Sequence, residues 1–232
     1  MAPKADKMKA FYENSLQHLQ DELKRIDLLI TWQILRLREE RHDSTSEEYR
    51  GLFISEEEID NILEKNANPA ESSDSSTSQK PKIERFNNHL QELQNSISKK
   101  IAVSLERGVY LSLFYLSYLF RLTPIEMDCL LICLAPELDL KYERLYAYLQ
   151  NDVTKKKPTA DLILKLLCHS LEEKTRVRPF FSTQASLFRY NLIRFSDESQ
   201  ERHTPLLSRA IKLDDRIVNF LLGFQAVDAR FR

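Results

Sequence analysis

The side chains best suited to chemistry in this sequence are three cysteines, Cys129, Cys133 and Cys168, which all lie in apolar runs. Cys129 and Cys133 would share one face of a helix, where two thiolates could bind a metal ion. No histidine or acidic residue completes the spacing of such a site, so core packing is the better interpretation. An odd number of cysteines without a secretory signal is typical of reduced thiols, and we expect a cytoplasmic protein.

Histidines and acidic residues do not predict a catalytic site either. The acidic pairs Glu172-Glu173 and Asp214-Asp215 lie where helices are expected to begin, and the helix dipole explains them there. No Ser-His-Asp or Cys-His arrangement is indicated. The histidines are scattered without ligand spacing: His18, His42, His89, His169 and His203. We therefore expect no catalytic residue, no metal and no cofactor in this chain.

Glycine is the residue on which phosphate binding most often depends, and the sequence has only Gly51, Gly108 and Gly223. A P-loop needs two glycines five residues apart followed by Lys and Ser or Thr, because the backbone must approach the phosphates closely. The three glycines are too far apart for a P-loop or a G-x-G-x-x-G fingerprint. The sequence therefore excludes both nucleotide-binding motifs.

The longest candidate for a membrane span is the apolar run at residues 109–122, and it is too short to span a bilayer.

The sequence predicts that helices make up most of the fold. The first helix is predicted from about Asp6 to Arg41, where glycine and proline are absent. Apolar residues recur there at steps of three and four, with Gln33 filling the remaining position of the seam: Leu16, Leu19, Leu23, Ile26, Ile30 and Leu37. Further apolar residues widen this seam, so we expect the helix to contact more than one neighbour. Packing inside the same chain and self-association through the seam both remain open.

Composition predicts a division into two regions. Ser55 and Glu58 form a capping box before a short helix that ends near Asn66. Residues 67–82 are rich in Asn, Pro, Ser and Thr and predict a flexible linker. We therefore expect an N-terminal helical region at residues 1–66 and a helical and winged-helix-like domain at residues 83–232.

The second region is expected to begin with a helical pattern over residues 83–122, in which Gly108 marks either a break or a close contact with another helix. Its second half is apolar on nearly all sides and should be buried. Thr123 and Glu126 predict a capping box, and the helix that follows should stop at Pro136.

Shorter elements in the order of a winged helix come next. Helices are predicted over residues 142–149 and 160–168, the second capped by Thr159. Two β-like runs, 186–195 and 206–213, flank a polar turn and predict a wing. A last helix should end at Gly223. The expected fold is mainly α, with long helices and a winged-helix-like module that has a small β-hairpin.

Three segments of the sequence form a recognisable set: RGLFISEEEID at residues 50–60, LAPELD with YERLYAYLQNDVTKKKPT within residues 134–159, and LDDRIVNFLLG at residues 213–223. In this order they resemble the N-terminal region of a group of large bacterial AAA+ ATPases. The middle segment is long enough to be specific. Lys155 to Lys157 stand where the family commonly has arginines, and lysine keeps the charge without the forked hydrogen bonds.

The resemblance implies a context as well as a fold. In such proteins an ATPase core follows this region and uses ATP and Mg²⁺, and many are encoded with phage-tail-like contractile injection systems. This chain would then be a non-catalytic interaction or regulatory region that recruits clients or assists assembly of the motor. A free-standing helical adaptor and a winged-helix DNA-binding protein are the alternatives.

The surfaces that would serve these functions differ. For DNA binding, residues 160–169 form the candidate recognition helix, but the helix is rich in leucine, and Asp161 would repel phosphate. The sequence thus argues against a nucleic-acid partner and favours a protein partner. The candidate interaction surface consists of Tyr142, Tyr146, Tyr148, Lys155, Lys156 and Lys157. Packing inside the same chain would explain the tyrosines equally well.

Overall fold

A computed structural model describes residues 10–42, 56–66, 79–196 and 204–224 of the chain. The helices in these ranges are α1 (Ser15–His42), α2 (Glu56–Asn66), α3 (Gln79–Glu106), α4 (Ser112–Phe120), α5 (Pro124–Leu138), α6 (Lys141–Leu149), α7 (Ala160–Leu167), α8 (Leu171–Val177), α9 (Ser186–Arg189) and α10 (Asp215–Leu221). Strands β1 (Ile193–Phe195) and β2 (Ile211–Leu213) form an antiparallel sheet. The mainly α fold class with a small hairpin is confirmed.

Helix α1 lies at the centre of the core, in contact with α3, α4, α5, α6 and α7. Its residues Ile26, Ile30 and Ile34 are fully buried, whereas Leu16 of the predicted seam is half exposed. The expectation that this helix contacts several neighbours is confirmed. Packing inside the same chain accounts for the buried part of the seam, so the seam residues that remain for self-association are few.

One apolar core spans both sides of the predicted linker. It includes α1, Ile59 of α2 and residues as far along the chain as Leu221. Residues 67–78 of the predicted linker, and Ser55 of the first predicted capping box, lie outside the described residues. Residues 79–82 of that linker form the first turn of α3.

The long helical pattern after residue 83 breaks at Gly108, with a φ of +73° that favours glycine, which is the first of the two alternatives for this residue. The expectation that its second half is buried was wrong. Helix α4 buries only one side, through Ser112, Leu113 and Leu116, because its main neighbours, α1 and α10, pack there. Tyr115, Tyr118 and Leu119 of this short apolar helix are exposed, whereas Phe120 is half-buried against the core.

Helix α5 does not stop at Pro136, as the sequence predicted, but continues to Leu138. Proline lacks an amide hydrogen, so it cannot bond to the carbonyl group of Ile132, four residues earlier. That carbonyl instead accepts a hydrogen bond of 2.8 Å from the Tyr146 hydroxyl of α6. The tyrosine thus satisfies the acceptor that the proline leaves free, and the helix can run through.

We expect Tyr146→Phe to destabilise the fold by about 1–3 kcal/mol, because it leaves a buried carbonyl without a donor. The measurement is the free energy of unfolding in urea. Pro136→Ala restores an amide donor to Ile132, so in that background Tyr146→Phe should cost clearly less. An equal cost in both backgrounds would show that the hydroxyl does not replace the missing amide.

The β-like runs of the sequence form strands only at their ends. Residues 186–189 form α9, and Leu206–Ser208 form a 3-10 turn. The reason is local hydrogen bonding: the Ala185 carbonyl accepts from Arg189 N at 2.8 Å, and the Pro205 carbonyl accepts from Ser208 N at 3.0 Å. Residues 197–203 of the predicted polar turn lie outside the described residues.

Candidate functional site

The three cysteines, which are the possible metal ligands in the sequence, lie in the core. Cys129, Cys133 and Cys168 are free thiols and buried, and burial raises the pKa of each. A thiol of raised pKa is a poor nucleophile. The described residues hold no group of three or more potential metal ligands, and no helix among them is long and apolar enough to cross a membrane.

The three tyrosines of the predicted interaction surface are interior residues. Tyr142, Tyr146 and Tyr148 are between 0% and 5% exposed, because α6 packs between α1, α2 and α5. Burial, with the nearby Asp27 carboxylate, raises the pKa of Tyr142. Their role as a surface is therefore corrected: packing inside the same chain, the alternative that the sequence left open, explains the aromatic stripe.

The lysines of the same predicted surface lie in the turn between α6 and α7. Lys155 and Lys156 are exposed and lie 3.6 Å from Asp152 and 3.8 Å from Glu143. Ion pairs of this kind contribute little to stability. Lys157 is half-buried, and its Nζ donates to Ser196 Oγ at 3.3 Å. The structure thus separates the exposed lysines from the buried tyrosines.

Gln150 holds this turn in place, which the sequence did not indicate. Its Nε2 donates to the carbonyl groups of Lys155 and Lys157 at 2.9 and 3.1 Å. Its Oε1 accepts from Thr159 Oγ1 at 2.7 Å. Thr159 Oγ1 in turn caps α7 by accepting from Leu162 N. One side chain therefore links the end of α6 to the start of α7.

The position of α7 in the topology differs from the one expected for a recognition helix. Ile211 N donates to Pro158 O at 2.8 Å, and Thr159 forms an antiparallel bridge with Ala210. An isolated β-bridge therefore precedes α7 and lies beside β2, which pairs with β1 on its other side. Helix α7 is the first helix after this bridge, and α8 is the second.

Helix α7 is also too deeply buried to enter a DNA groove. Ala160, Leu162 and Ile163 are fully buried, and the helix contacts α1, α5 and α8. Asp161 and Lys165, its outward-facing polar residues, pair with each other at 2.7 Å. Tertiary contacts therefore cover residues 160–169, the candidate recognition helix, as expected from its leucine-rich face.

A stretch of sequence rich in basic residues follows α7. From Lys174 to Ser196 there are five basic residues and no acidic residue, and residues 204–213 add two more without an acid. Of these seven residues Arg176, Arg178, Arg189 and Arg194 are exposed, and Lys174, Arg209 and Lys212 are half-buried. The net charge of the whole chain, which is −1, conceals this local excess.

An exposed apolar surface lies on α4. Its members, which we name the α4 surface, are Tyr110, Tyr115, Tyr118 and Leu119, each 43% or more exposed. Tyr110 and Tyr115 stack with ring centroids 4.5 Å apart. Helix α10, which contacts α4, carries exposed Phe220, and exposed Phe224 follows it in the chain. Ser112 Oγ of α4 donates to Leu221 O of α10 at 2.8 Å, and this hydrogen bond links the two helices.

The comparisons with known proteins agree with this topology. The family model described as winged helix domain, variant, matches residues 1–232 of the chain. Neither a curated protein nor a solved structure matches it. The family match covers α1 and α3 as well as the segment from α5 to β2, in keeping with the single core that these elements share. The chain therefore belongs to the winged helix domain variant family.

Proposed function

We propose that this chain is a non-catalytic interaction module that binds a protein partner through the α4 surface. The observation that supports this most strongly is the exposure of large apolar side chains, of which Tyr118 is 76% and Leu119 is 71% exposed. Exposed apolar patches on folded proteins commonly mark binding sites. Tyrosine is also enriched among the residues that dominate binding energy at interfaces.

The chemistry of α4 favours an apolar partner over a charged one. The helix reads SLFYLSYLF and has no charged residue. Phe114 meets Tyr115 edge to face, with ring centroids 6.0 Å apart. Such contacts hold the rings in place before a partner arrives, which lowers the entropy cost of binding. The partner surface should therefore present aliphatic or aromatic side chains, with donors or acceptors for the tyrosine hydroxyls.

We further propose that the partner is a client or a component of an AAA+ ATPase. The support is the resemblance of residues 50–60, 134–159 and 213–223 to the N-terminal region of such proteins. The lack of a glycine pattern for phosphate binding supports a non-catalytic role for this chain. ATP and Mg²⁺ would act in the ATPase core, outside these residues. A free-standing adaptor would use the same α4 surface without a motor.

The test begins with a photo-reactive amino acid placed at position 118 in the expressed protein. Cross-linked partners are identified by mass spectrometry, with position 171 as the control, because Leu171 of α8 is as exposed as Tyr118. A partner captured from position 118 and not from position 171 is then purified. An AAA+ protein or its client would support the proposed context, and an unrelated protein would support the adaptor.

With the purified partner, we expect Tyr118→Ala combined with Leu119→Ala to weaken binding roughly 30-fold or more, the effect of losing one strong interface residue. Titration calorimetry measures this change. Leu171→Ala should leave the affinity unchanged. All these side chains are exposed, so stability should change by about 0.5 kcal/mol or less. Equal affinity of the double variant and the parent protein would contradict the proposal.

A further inference from the structure

We infer that a pocket between α1 and the corner where α5 meets α6 binds an aliphatic primary amine, whose ammonium group pairs with Asp27. This pocket, which we name the α1 pocket, has a volume of about 470 Å³. Ligand pockets of proteins commonly measure about 300–1,000 Å³. The α4 surface lies on other elements, so binding at the α1 pocket goes beyond the proposed function and does not depend on it.

The body of the α1 pocket is apolar. Leu16, Leu19 and Leu23 line it from α1, at steps of three and four residues that place them on one face of the helix. Leu138 of α5 and Tyr142 of α6 line it from the other elements. Leu16 is 51% exposed, and Leu23 and Leu138 are half-buried. An aliphatic chain along this face would cover leucine surface that water now contacts, which is favourable.

The polar end of the α1 pocket contains an acceptor without a donor. Asp27 Oδ2 accepts from Lys141 Nζ at 3.1 Å, and the Tyr142 hydroxyl lies close to the same carboxylate. Among the residues that the structure describes, none donates a hydrogen bond to Asp27 Oδ1, although this atom is buried. Burial raises the pKa of Asp27 even though Lys141 and Tyr142 act to lower it. A ligand that brings a cationic donor would supply what this carboxylate lacks.

The other charged groups of the pocket favour an ammonium ligand over a carboxylate. Lys24 Nζ lies 2.7 Å from Asp21 Oδ1, and Lys141 pairs with Asp27, so both lysines already have acidic partners. Asp139, the second acid of the pocket, is close enough to raise the pKa of Asp27. An added ammonium group would reduce the repulsion between these two carboxylates, whereas an added carboxylate would increase it.

A ligand can reach Asp27 after a small movement. The side chain of Asp27 is 17% exposed, and the χ2 torsion of an aspartate is soft, so a rotation of the carboxylate turns Oδ1 toward the pocket. Leu23 lies one helical turn before Asp27, about 6 Å along the axis. The methylene stem of a lysine side chain has about this length. The amine can therefore come from a lysine of a protein partner or from a free alkylamine.

The test compares three probes that share a hexyl chain and differ in the head group: hexylammonium, hexanol and hexanoate. Each is titrated into the full, isotope-labelled chain at neutral pH, and the chemical shifts of residues 16–27 and 138–142 report binding. We expect hexylammonium to bind with a dissociation constant of about 10⁻³ M, the range of a small ligand. Hexanol should bind about 10-fold more weakly, because it lacks the charged hydrogen bond, and hexanoate more weakly still.

Asp27→Asn should weaken the binding of hexylammonium about 10-fold and leave that of hexanol unchanged, because the amide keeps the shape and loses the charge. The matched control is Asp161→Asn on α7, which lies outside the pocket and should change neither affinity. Asp139→Asn is a second variant at an exposed position, which the fold should tolerate. It should weaken hexylammonium alone, by a smaller factor of about 2 to 5.

Leucine variants test the apolar body of the pocket. Leu16→Ala should weaken all three probes by the same factor, whereas Leu35→Ala, on the same helix and 45% exposed, should weaken none. Tyr118→Ala combined with Leu119→Ala should also leave hexylammonium binding unchanged. Failure of the α1 pocket is thereby distinguished from failure of the α4 surface.

A further arm identifies the source of the amine. It uses a short peptide with blocked ends and one lysine between leucines, together with the same peptide acetylated on the lysine. Tighter binding of the free-lysine peptide than of hexylammonium, lost on acetylation, supports the inference with a protein partner as the source. Weaker binding of the peptide supports it with a free alkylamine as the source.

Three results would overturn the inference. The first is that hexylammonium shifts no resonance of the α1 pocket. The second is that hexanol or hexanoate binds as tightly as hexylammonium, which would show that the carboxylate selects no cation. The third is that Asp27→Asn and Asp139→Asn leave the preference for the amine unchanged, or that Asp161→Asn reduces it as much.

Discussion

Arg25→Ala is expected to destabilise the fold by about 3–5 kcal/mol, the cost of removing one member of a buried ion pair. Arg25 Nε donates to Glu22 Oε2 at 2.9 Å on the same helix. Its Nη2 donates to Asp128 Oδ1 of α5. The three side chains are 9%, 8% and 17% exposed. Without the guanidinium, two carboxylates stay in the interior with little water to stabilise their charge.

The pH dependence of this loss has a definite sign. Burial tends to raise the pKa of Glu22, but His18 and Arg25 outweigh it and lower the pKa. In the parent protein Glu22 therefore contributes stability above its unfolded pKa, and this contribution is lost as the pH falls through the lower, folded value. In the variant the unpaired carboxylate has a raised pKa, and its destabilising effect disappears on protonation. The difference between the two proteins should shrink as the pH falls toward about 4.

Urea unfolding at neutral and acidic pH measures both effects. The control is Arg144→Ala, because Arg144 pairs with Glu58 at 2.8 Å while both side chains are largely exposed. An exposed pair contributes about 0–1 kcal/mol. A loss for Arg25→Ala no larger than for Arg144→Ala would show that the buried pair is not needed. Arg25→Met combined with Glu22→Gln and Asp128→Asn should recover much of the loss, because no buried charge is left unpaired.

The sequence predicted those parts of the fold that depend on neighbours in the chain. Thr123 accepts from Glu126 N at 3.3 Å, and Glu126 Oε2 accepts from Thr123 N at 2.8 Å, which is the expected capping box. Gly223 ends α10 with a φ of +78°, and Thr159 caps α7. In each case the donor and the acceptor lie within a few residues of each other, so a short segment determines the geometry.

The candidate site could not be predicted to the same extent, because its members are positioned by distant elements. The spacing of Tyr142 and Tyr146 shows that they share a helical face, but only α1 and α5 show that this face is covered. A proline such as Pro136 normally predicts the end of a helix. Here the Tyr146 hydroxyl of the next helix replaces the amide donor that the proline lacks. The excess of basic residues at positions 174–196, in contrast, can be read from the sequence alone.

Ile30→Ala is expected to destabilise the whole chain by about 2–5 kcal/mol, the usual cost of a large cavity in a core. Ile30 is fully buried on α1 and belongs to the same core cluster as Leu162 of α7 and Ile193 of β1. The sequence placed Ile30 in a separate N-terminal region, outside the domain at residues 83–232. If α1 is part of one core, the variant must weaken the winged-helix elements as much as α1 itself, and a single unfolding transition should shift as a unit.

Thermal unfolding followed by circular dichroism, together with hydrogen exchange of the amides in α7 and β2, measures this coupling. Leu35→Ala is the matched control on the same helix, because Leu35 is 45% exposed and its loss should change stability by about 0.5 kcal/mol or less. A fragment of residues 83–232 should not reach the stability of the full chain, since it lacks the apolar residues of α1. Two separate transitions, of which Ile30→Ala moves only one, would instead establish two independent domains and contradict the single core.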